Sequence, residues 1–542
     1  MLEGTPSSLK LAHLVLAAFT AVFVSIFIRN AFKNWTLWPC KAEWVMKFWP
    51  GKGRKRKEEK FSPPSKLPSY EQPEGPTLAE EIFDILTQRV YDEMPIRLIS
   101  LKDMSLVGRG DVRMHFYDRI VRMAATVPEV NEKDSREEAI KSLVRKVAQY
   151  AILSHRWLEQ GEPTYQEMLT QQSPVGPGYD KLAQFCHAAR QYGMEYAWSD
   201  TCCIDKTSSS ELDESIRSMF KWYKTAHVCI VYLAQTTSIG NMPRDPWFTR
   251  GWTLQELLAP EKLKFFGAQW ISLTGSLYDI DRGNHDKSGA HTALFAAVAS
   301  GSGIREEDIL SFLPGATMVH IRMSWASKRR TTRGEDRAYS LMGIFDVTFP
   351  IVYGEGLQRA FCRLLEAIMQ NSPKTEVLNW AGDPSDSQIS RAIPSSPDCY
   401  NHPVSTAMDL KFRSRQHLSL TSMGLRVSLL ILPLHPLTPI HQHDLAFRCD
   451  AYGIGDIAVR SKFTGKWSIR ALDPRWALGV YNYFEQPDGC HLERLSVAYL
   501  LASTLVGWTK IPTENIISFE VPNCNDSGYL PANDSEIVRM DI

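Results

Sequence analysis

AQYAILSHRW, residues 148–157, sets an apolar run, Tyr150 to Leu153, against an abrupt polar end, Ser154-His155-Arg156-Trp157. A short run that is apolar without alternation fits a strand covered on both faces. The same pattern returns in EYAWSD at 195–200, HVCIVYLA at 227–234 and KLKFFGAQW at 262–270. Between these runs the period changes to that of a helix. GYDKLAQFCHAARQYG at 178–193 carries Gly193 as a helix stop. SSELDESIRSMFKWYKTA at 209–226 places Ile216, Met219, Phe220 and Tyr223 on one stripe, with Ser210 and Asp213 resembling a capping box. TLQELLAP at 253–260 is a short helix ended by Pro260. Strands alternating with helices imply an α/β fold with a parallel sheet and helices on both faces.

Outward from that core, Thr77 reads as the N-cap of a helix over 78–93, IRLISL at 96–101 as a strand, and 110–125 and 134–147 as two further helices. After the core, 275–370 is mainly helical, including 324–345 and 354–370. From about 376, short strand patterns (418–432, 443–452, 456–463, 466–472 and 514–521) are separated by Gly, Pro and Asp and predict a β-rich module. The resulting division is 1–30, 31–76 (basic, then Pro-rich linker), 77–147 (helical lead-in), 148–270 (α/β core), 271–372 (helical extension) and 373–542 (β-rich module).

The N-terminus departs from a globular pattern. Residues 11–28, LAHLVLAAFTAVFVSIFI, hold no charge and are long enough, at roughly 27 Å as a helix, to cross a hydrocarbon core. Arg29 to Lys60 follows with ten Lys/Arg against three Asp/Glu, so a single-pass anchor would keep everything from 29 onward cytoplasmic. Trp35, Trp38, Trp44 and Trp49 fit an interfacial belt. Zero net charge gives no global field for nucleic acid. Ten cysteines in 542 residues, with no CxxC pair, fit reduced thiols, not a disulfide frame or a metal site.

In an open parallel sheet, ligands gather at the carboxyl ends of the strands. Three blocks fall there: YAILSHRW at 150–157, WSDTCCIDK at 198–206 and WFTRGWTLQELLAP at 247–260. Their ligand-binding candidates are Ser154, Trp157, Asp200, Asp205, Arg250 and Trp252, and the catalytic candidate is Glu256. Each has a structural alternative. Ser154 can cap a strand end, Asp200 and Asp205 can brace loops, and Trp252 can be core. Thr253-x-x-Glu256 fits a capping box, which would spend the Glu256 carboxylate on the helix end. As a functional group, a Glu at this edge can offset the positive charge of an oxocarbenium ion. No G-x-S-x-G, Walker A or dinucleotide fingerprint accompanies these blocks. The basic run Lys328–Arg333 precedes Glu335 and Asp336, which points to internal ion pairing and not to nucleic acid.

Together the blocks resemble the fungal heterokaryon-incompatibility (HET) domain family. YAILSHRW, WSDTCCIDK, the 208–223 helix and WFTRGWTLQELLAP stand in the family's order, with MPIRLISL at 94–101 like its lead-in and 333–361 like the segment that follows it. The resemblance covers roughly 94–370. It implies non-self recognition between hyphae and programmed death of fused cells, and a flavodoxin-like fold similar to Toll/interleukin-receptor (TIR) domains. Some TIR domains cleave NAD with a helix glutamate. By that likeness Glu256 would be the catalytic carboxylate, Ser154 and Asp200 would line the pocket, and NAD would be substrate with no bound cofactor. The alternative is a non-catalytic adaptor that self-associates and signals to an unknown protein partner.

Overall fold

Four parallel strands stand where the alternating pattern put them. The computed structural model describes residues 76–542, apart from 127–134, 160, 171–174, 284–292, 387–390, 402–409, 414–415, 422–423, 440–442, 463–473, 505–506, 523, 526–528 and 533–536. Strands β1 (Arg97–Ser100), β2 (Leu106–Gly108), β3 (Ala151–His155), β4 (Tyr196–Trp198), β5 (Val228–Tyr232), β6 (Lys262–Phe266) and β7 (Ile280–Asp281) form one sheet in the order β2-β1-β4-β3-β5-β6-β7. β4, β3, β5 and β6 are parallel, with Ser154 beside Val231 and His155 beside Tyr232. β3 and β4 are buried along their whole length, and β5 and β6 all but one residue, as a sheet covered on both faces requires.

The sheet is mixed, which the expectation of a parallel sheet did not include. β1 pairs antiparallel with both β2 and β4, and β7 pairs antiparallel with β6. The connections explain the hairpin and the β7 edge. Residues 101–105 are too short for a crossover, so β2 returns antiparallel to β1; the connection from β6 to β7 holds a 3-10 turn at Ala268–Trp270 but no α-helix to carry a crossover, and β7 returns antiparallel to β6.

Helix α1 (Leu78–Gln88) starts at Thr77, whose hydroxyl accepts from the Glu80 amide in a full capping box, and passes at Arg89–Glu93 into a π turn. α2 (Arg109–Ala124), α3 (Arg136–Val147) and α4 (Pro177–Gln191) follow, and Gly193 closes the last at φ +72°. α5 (Ser209–Thr225) is capped by Ser208 and not by Ser210: Ser208 accepts from Glu211, while Asp213 pairs with Arg217. α6 is Thr253–Leu258.

The helical extension is broken where sequence periodicity suggested one helix over 324–345. α7 (Val319–Ser327) stops before the basic run, and helix resumes only at Asp336–Tyr339 and Met342–Phe345. The intervening chain is used otherwise. Arg330 bridges Arg250, and the Glu335 carboxylate accepts from the Gly354 and Gly356 amides at 2.9 and 3.0 Å. Within the run Arg330 forms an ion pair, and its partner is Asp398, not Glu335 or Asp336: Arg330 Nη1 lies 3.0 Å from Asp398 Oδ1, and Arg337, beyond the run, reaches the same oxygen at 2.8 Å. α8 (Leu357–Asn371) ends the extension.

Antiparallel sheets built around the long strands Gly424–Pro436 and Leu495–Thr504 make up the C-terminal region. Leu429, Tyr499 and Leu501 join the main core, whereas Leu430, Leu500 and Ala502 join a second cluster on the other face. Residues 377–379 are held by three tyrosines: Tyr400 and Tyr499 hydroxyls donate to the Val377 and Leu378 carbonyls at 2.6 Å, and Tyr481 to Asn379 Oδ1 at 3.0 Å. Residues 75–542 form one compact unit. The apolar stretch 11–28, its basic flank and the linker up to 75 lie outside the described residues, as does the strand pattern at 466–472. Among the described residues no helix is long and apolar enough to cross a membrane.

Candidate functional site

The parallel strands run β4-β3-β5-β6 across the sheet, so the chain leaves β3 to one side for β4 and returns to the other for β5. A crevice opens where such connections diverge, at the carboxyl ends of β3 and β5. Ser154 is the penultimate residue of β3, Asp200 follows β4, and the loop after β5 leads to Arg250 and α6.

Ser154 Oγ donates to Glu256 Oε2 at 2.5 Å and accepts from Trp247 Nε1 at 2.8 Å. All three residues are buried, with Glu256 5% exposed. The capping-box alternative for Glu256 is not what forms. Trp252 is the N-cap residue and makes no side-chain cap bond, and the Thr253 hydroxyl goes to the Trp247 and Arg250 carbonyls at 2.6 and 2.9 Å. The carboxylate is left to Ser154, which lies 102 residues away in sequence.

Burial pushes the Glu256 carboxyl up to about 8, and the nearby Asp200 charge adds to the shift; the Ser154 hydroxyl, Arg250 and Arg329 oppose it. At neutral pH Glu256 is therefore an uncharged acid. Arg329 comes from the basic run and is buried beside α6, its Nη1 donating to the Arg250 carbonyl at 2.9 Å and Thr253 Oγ1 at 3.0 Å. Burial lowers its guanidinium to about 9, which still leaves it a cation at neutral pH.

Nearer the surface, Trp157 is 40% exposed and its indole N–H donates to Asp200 Oδ2 at 2.8 Å. Lys206 Nζ lies 4.0 Å from the Trp157 ring centroid and the Arg250 guanidinium carbon 5.7 Å. His155 sits below, 4% exposed, with neither ring nitrogen hydrogen-bonded among the described residues. Burial, reinforced by Lys181, Arg250 and Lys206, holds its pKa well below the ordinary histidine range, so the imidazole is neutral. Lys181, buried on α4, pairs with Glu162.

The structure thus gathers Ser154, Trp157, Asp200, Arg250 and Glu256 around one strand edge. It does not gather Asp205 or Trp252. Asp205 Oδ1 accepts from the Thr207 amide and hydroxyl at 3.0 and 2.6 Å, bracing the turn into α5. The Trp252 side chain hydrogen-bonds Asp336 of the extension, a packing role. Cys202 and Cys203 are buried free thiols, and the Cys202 thiol is held well above its usual range by a hydrogen bond with Cys203 and by burial, so it is no thiolate. His155, Lys181, Lys206, Trp247 and Arg329 belong to the cluster without having been singled out. Lys181 left a trace: it shares the buried face of α4 with Leu182 and Phe185, where a lysine needs a partner. His155, Lys206 and Trp247 lie inside the three blocks and Arg329 in the basic run, but spacing assigned none of them a role. Among the described residues no group of three His, Cys, Asp or Glu side chains is placed to hold a metal ion.

Residues 150–244 match the family model described as heterokaryon incompatibility protein (HET). That span takes in Ser154, His155, Trp157, Asp200 and Lys206 and stops short of Arg250 and Glu256. The vegetative incompatibility protein HET-E-1 of Podospora anserina is 40% identical over 235 residues, which cover 41% of this chain and 16% of that protein. The chain therefore aligns with a small part of its relative's length. No solved structure matches. It is residues 150–244, within the α/β sheet, that are similar to a HET domain.

Proposed function

We propose that this HET-domain chain is an effector of vegetative incompatibility. On meeting non-self it triggers death of the fused cell, and its effector step is cleavage of NAD at the nicotinamide–ribose bond beside Glu256. The apolar segment at 11–28 would tether it to a membrane with the HET domain on the cytoplasmic side, and self-association would switch it on.

The observation that carries the reading is the buried Ser154–Glu256 pair at the point where the strand order reverses. Numbered among themselves in chain order, the parallel strands lie 2-1-3-4, the flavodoxin-like arrangement that places ligands at this edge. A pKa near 8 fits the chemistry. Glu256 is neutral until a cationic nicotinamide ring comes alongside, which favours the ionised form and releases the proton. The carboxylate then faces the oxocarbenium ion that forms as the C1′–N1 bond breaks and its electron pair leaves with nicotinamide. Water adds to C1′ and gives up a proton.

The adaptor reading has its own support: at 5% exposure, and already hydrogen-bonded, Glu256 is equally a core group. Glu256→Gln separates the two. Expressed in a heterologous host, the variant is expected to lose toxicity and spare cellular NAD while eluting at the wild-type size. Full toxicity with intact NAD would assign the domain to the adaptor class.

A further inference from the structure

Arg250 and Lys206 are two cations of the cleft that the fold leaves without an ion pair among the described residues. Lys181, by contrast, is committed to Glu162, and Arg329 to the Arg250 carbonyl and Thr253. Among the described residues neither Arg250 nor Lys206 forms an ion pair. The Arg250 guanidinium lies over the Trp157 ring and within electrostatic reach of Glu256, and Lys206 adds a 3.5 Å approach to the Thr201 carbonyl. Two like charges drawn to one ring repel each other, so an indole alone is a poor reason to bring them together. The ring is fixed in place by its bond to Asp200. The neutral His155, buried two residues before Trp157, has neither ring nitrogen hydrogen-bonded among the described residues, with Glu162 Oε1 3.9 Å from its Nε2; it is the kind of orphan that a ligand oxygen satisfies.

We propose that Arg250 and Lys206, propped on Trp157 and backed by His155, form a clamp for a phosphoryl anion. A guanidinium fork and a mobile ammonium suit the oxygens of two linked phosphates, so the ligand class is a pyrophosphate ester such as a nucleoside diphosphate or dinucleotide. Trp157 serves here as a prop for cations, with Lys206 Nζ 4.0 Å and the Arg250 guanidinium carbon 5.7 Å from its centroid. The choice of a pyrophosphate ester rests on the NAD reading of the neighbouring cleft; anion binding itself does not require cleavage.

Inorganic pyrophosphate, which has no glycosidic bond, is the probe. Titrated calorimetrically into the full chain in detergent, it is expected to bind saturably. Lys206→Ala, at an exposed position that cannot compromise folding, should weaken binding several-fold. Lys206→Ala with Arg250→Ala should weaken it at least about tenfold, the loss expected for charge-assisted hydrogen bonds. Lys221→Ala with Lys224→Ala, on the exposed side of α5, should leave it unchanged. Equal binding by the Lys206 and Arg250 variants, or an equal loss in the α5 control, would overturn the clamp. Pyrophosphate binding without NAD cleavage would retain the clamp and remove the cleavage reading; toxicity lost in Glu256→Gln without pyrophosphate binding would do the reverse.

Discussion

Glu256 folds at a cost that pH should reveal. Its pKa rises from 4.5 to about 8, chiefly by burial, so between those values the folded chain keeps a proton the unfolded chain has lost. Stability from this group is fully present below 4.5, falls as pH rises towards 8, and is level above it. Glu256→Gln removes the titration and keeps the shape. The stability difference between wild type and variant, from urea unfolding at pH 5.5 and 8, should fall by on the order of a few kcal/mol as pH rises. A difference independent of pH would mean that the folded carboxyl is not held as an acid. The sequence marked this residue but not its environment. Spacing within Thr253-x-x-Glu256 is local information, and it suggested a cap; the partner that takes the carboxylate lies on another strand, where spacing says nothing. His155 was hidden for a related reason. It follows Ser154 directly on β3, and only the packed sheet sets it among the charges of Lys181, Lys206 and Arg250.

Elements were easier to read than their ends or partners. Apolar runs and helical stripes carry their own period, so β3 to β6 and α1 to α5 stand close to where pattern placed them. The direction of an edge strand is not in its pattern, because one strand can pair either way, and β1, β2 and β7 became the antiparallel margin. The start of α4 holds a constraint that no pattern shows. A Cβ on Gly178 would lie 1.9 Å from the Gly161 carbonyl oxygen and 2.8 Å from Glu162 Cα, both rigid backbone. That close approach brings Glu162 to Lys181, and its Oε1 also accepts from the Leu158 amide at 2.6 Å. Gly178→Ala should therefore push the 158–162 loop off the helix despite alanine's better helix propensity. The expected loss is about 1–3 kcal/mol, as for an overpacked site. Thermal melting measures it, and an unchanged or higher Tm would show that the loop yields freely.

Composition marks a change near residue 373, from helical extension to β-rich module, and it is natural to read a domain boundary there. The contacts argue otherwise. One apolar cluster continues from Ile82 on α1 to Ile542, and it takes Leu425, Val427, Leu429, Val497, Tyr499 and Leu501 from the C-terminal strands. Burying each is worth roughly 1.5–3 kcal/mol, so their sum rivals the roughly 5–15 kcal/mol that holds an ordinary domain together. Polar ties cross the same line. Asp398 pairs with Arg330 and Arg337, and Tyr400, Tyr481 and Tyr499 grip residues 377–379. Arg330 adjoins Arg329, which packs on α6, so the C-terminal region supports the chain that backs Glu256. Cutting after residue 372 should leave 77–372 without a cooperative melt and readily digested by protease. The full chain should unfold in one transition, superimposable by tryptophan fluorescence and far-ultraviolet circular dichroism. Two separated transitions, or a truncated fragment that melts sharply at the same temperature, would mean that the shared core is a contact between independent domains. The cleft around Glu256 would then keep its shape without the strands that follow it.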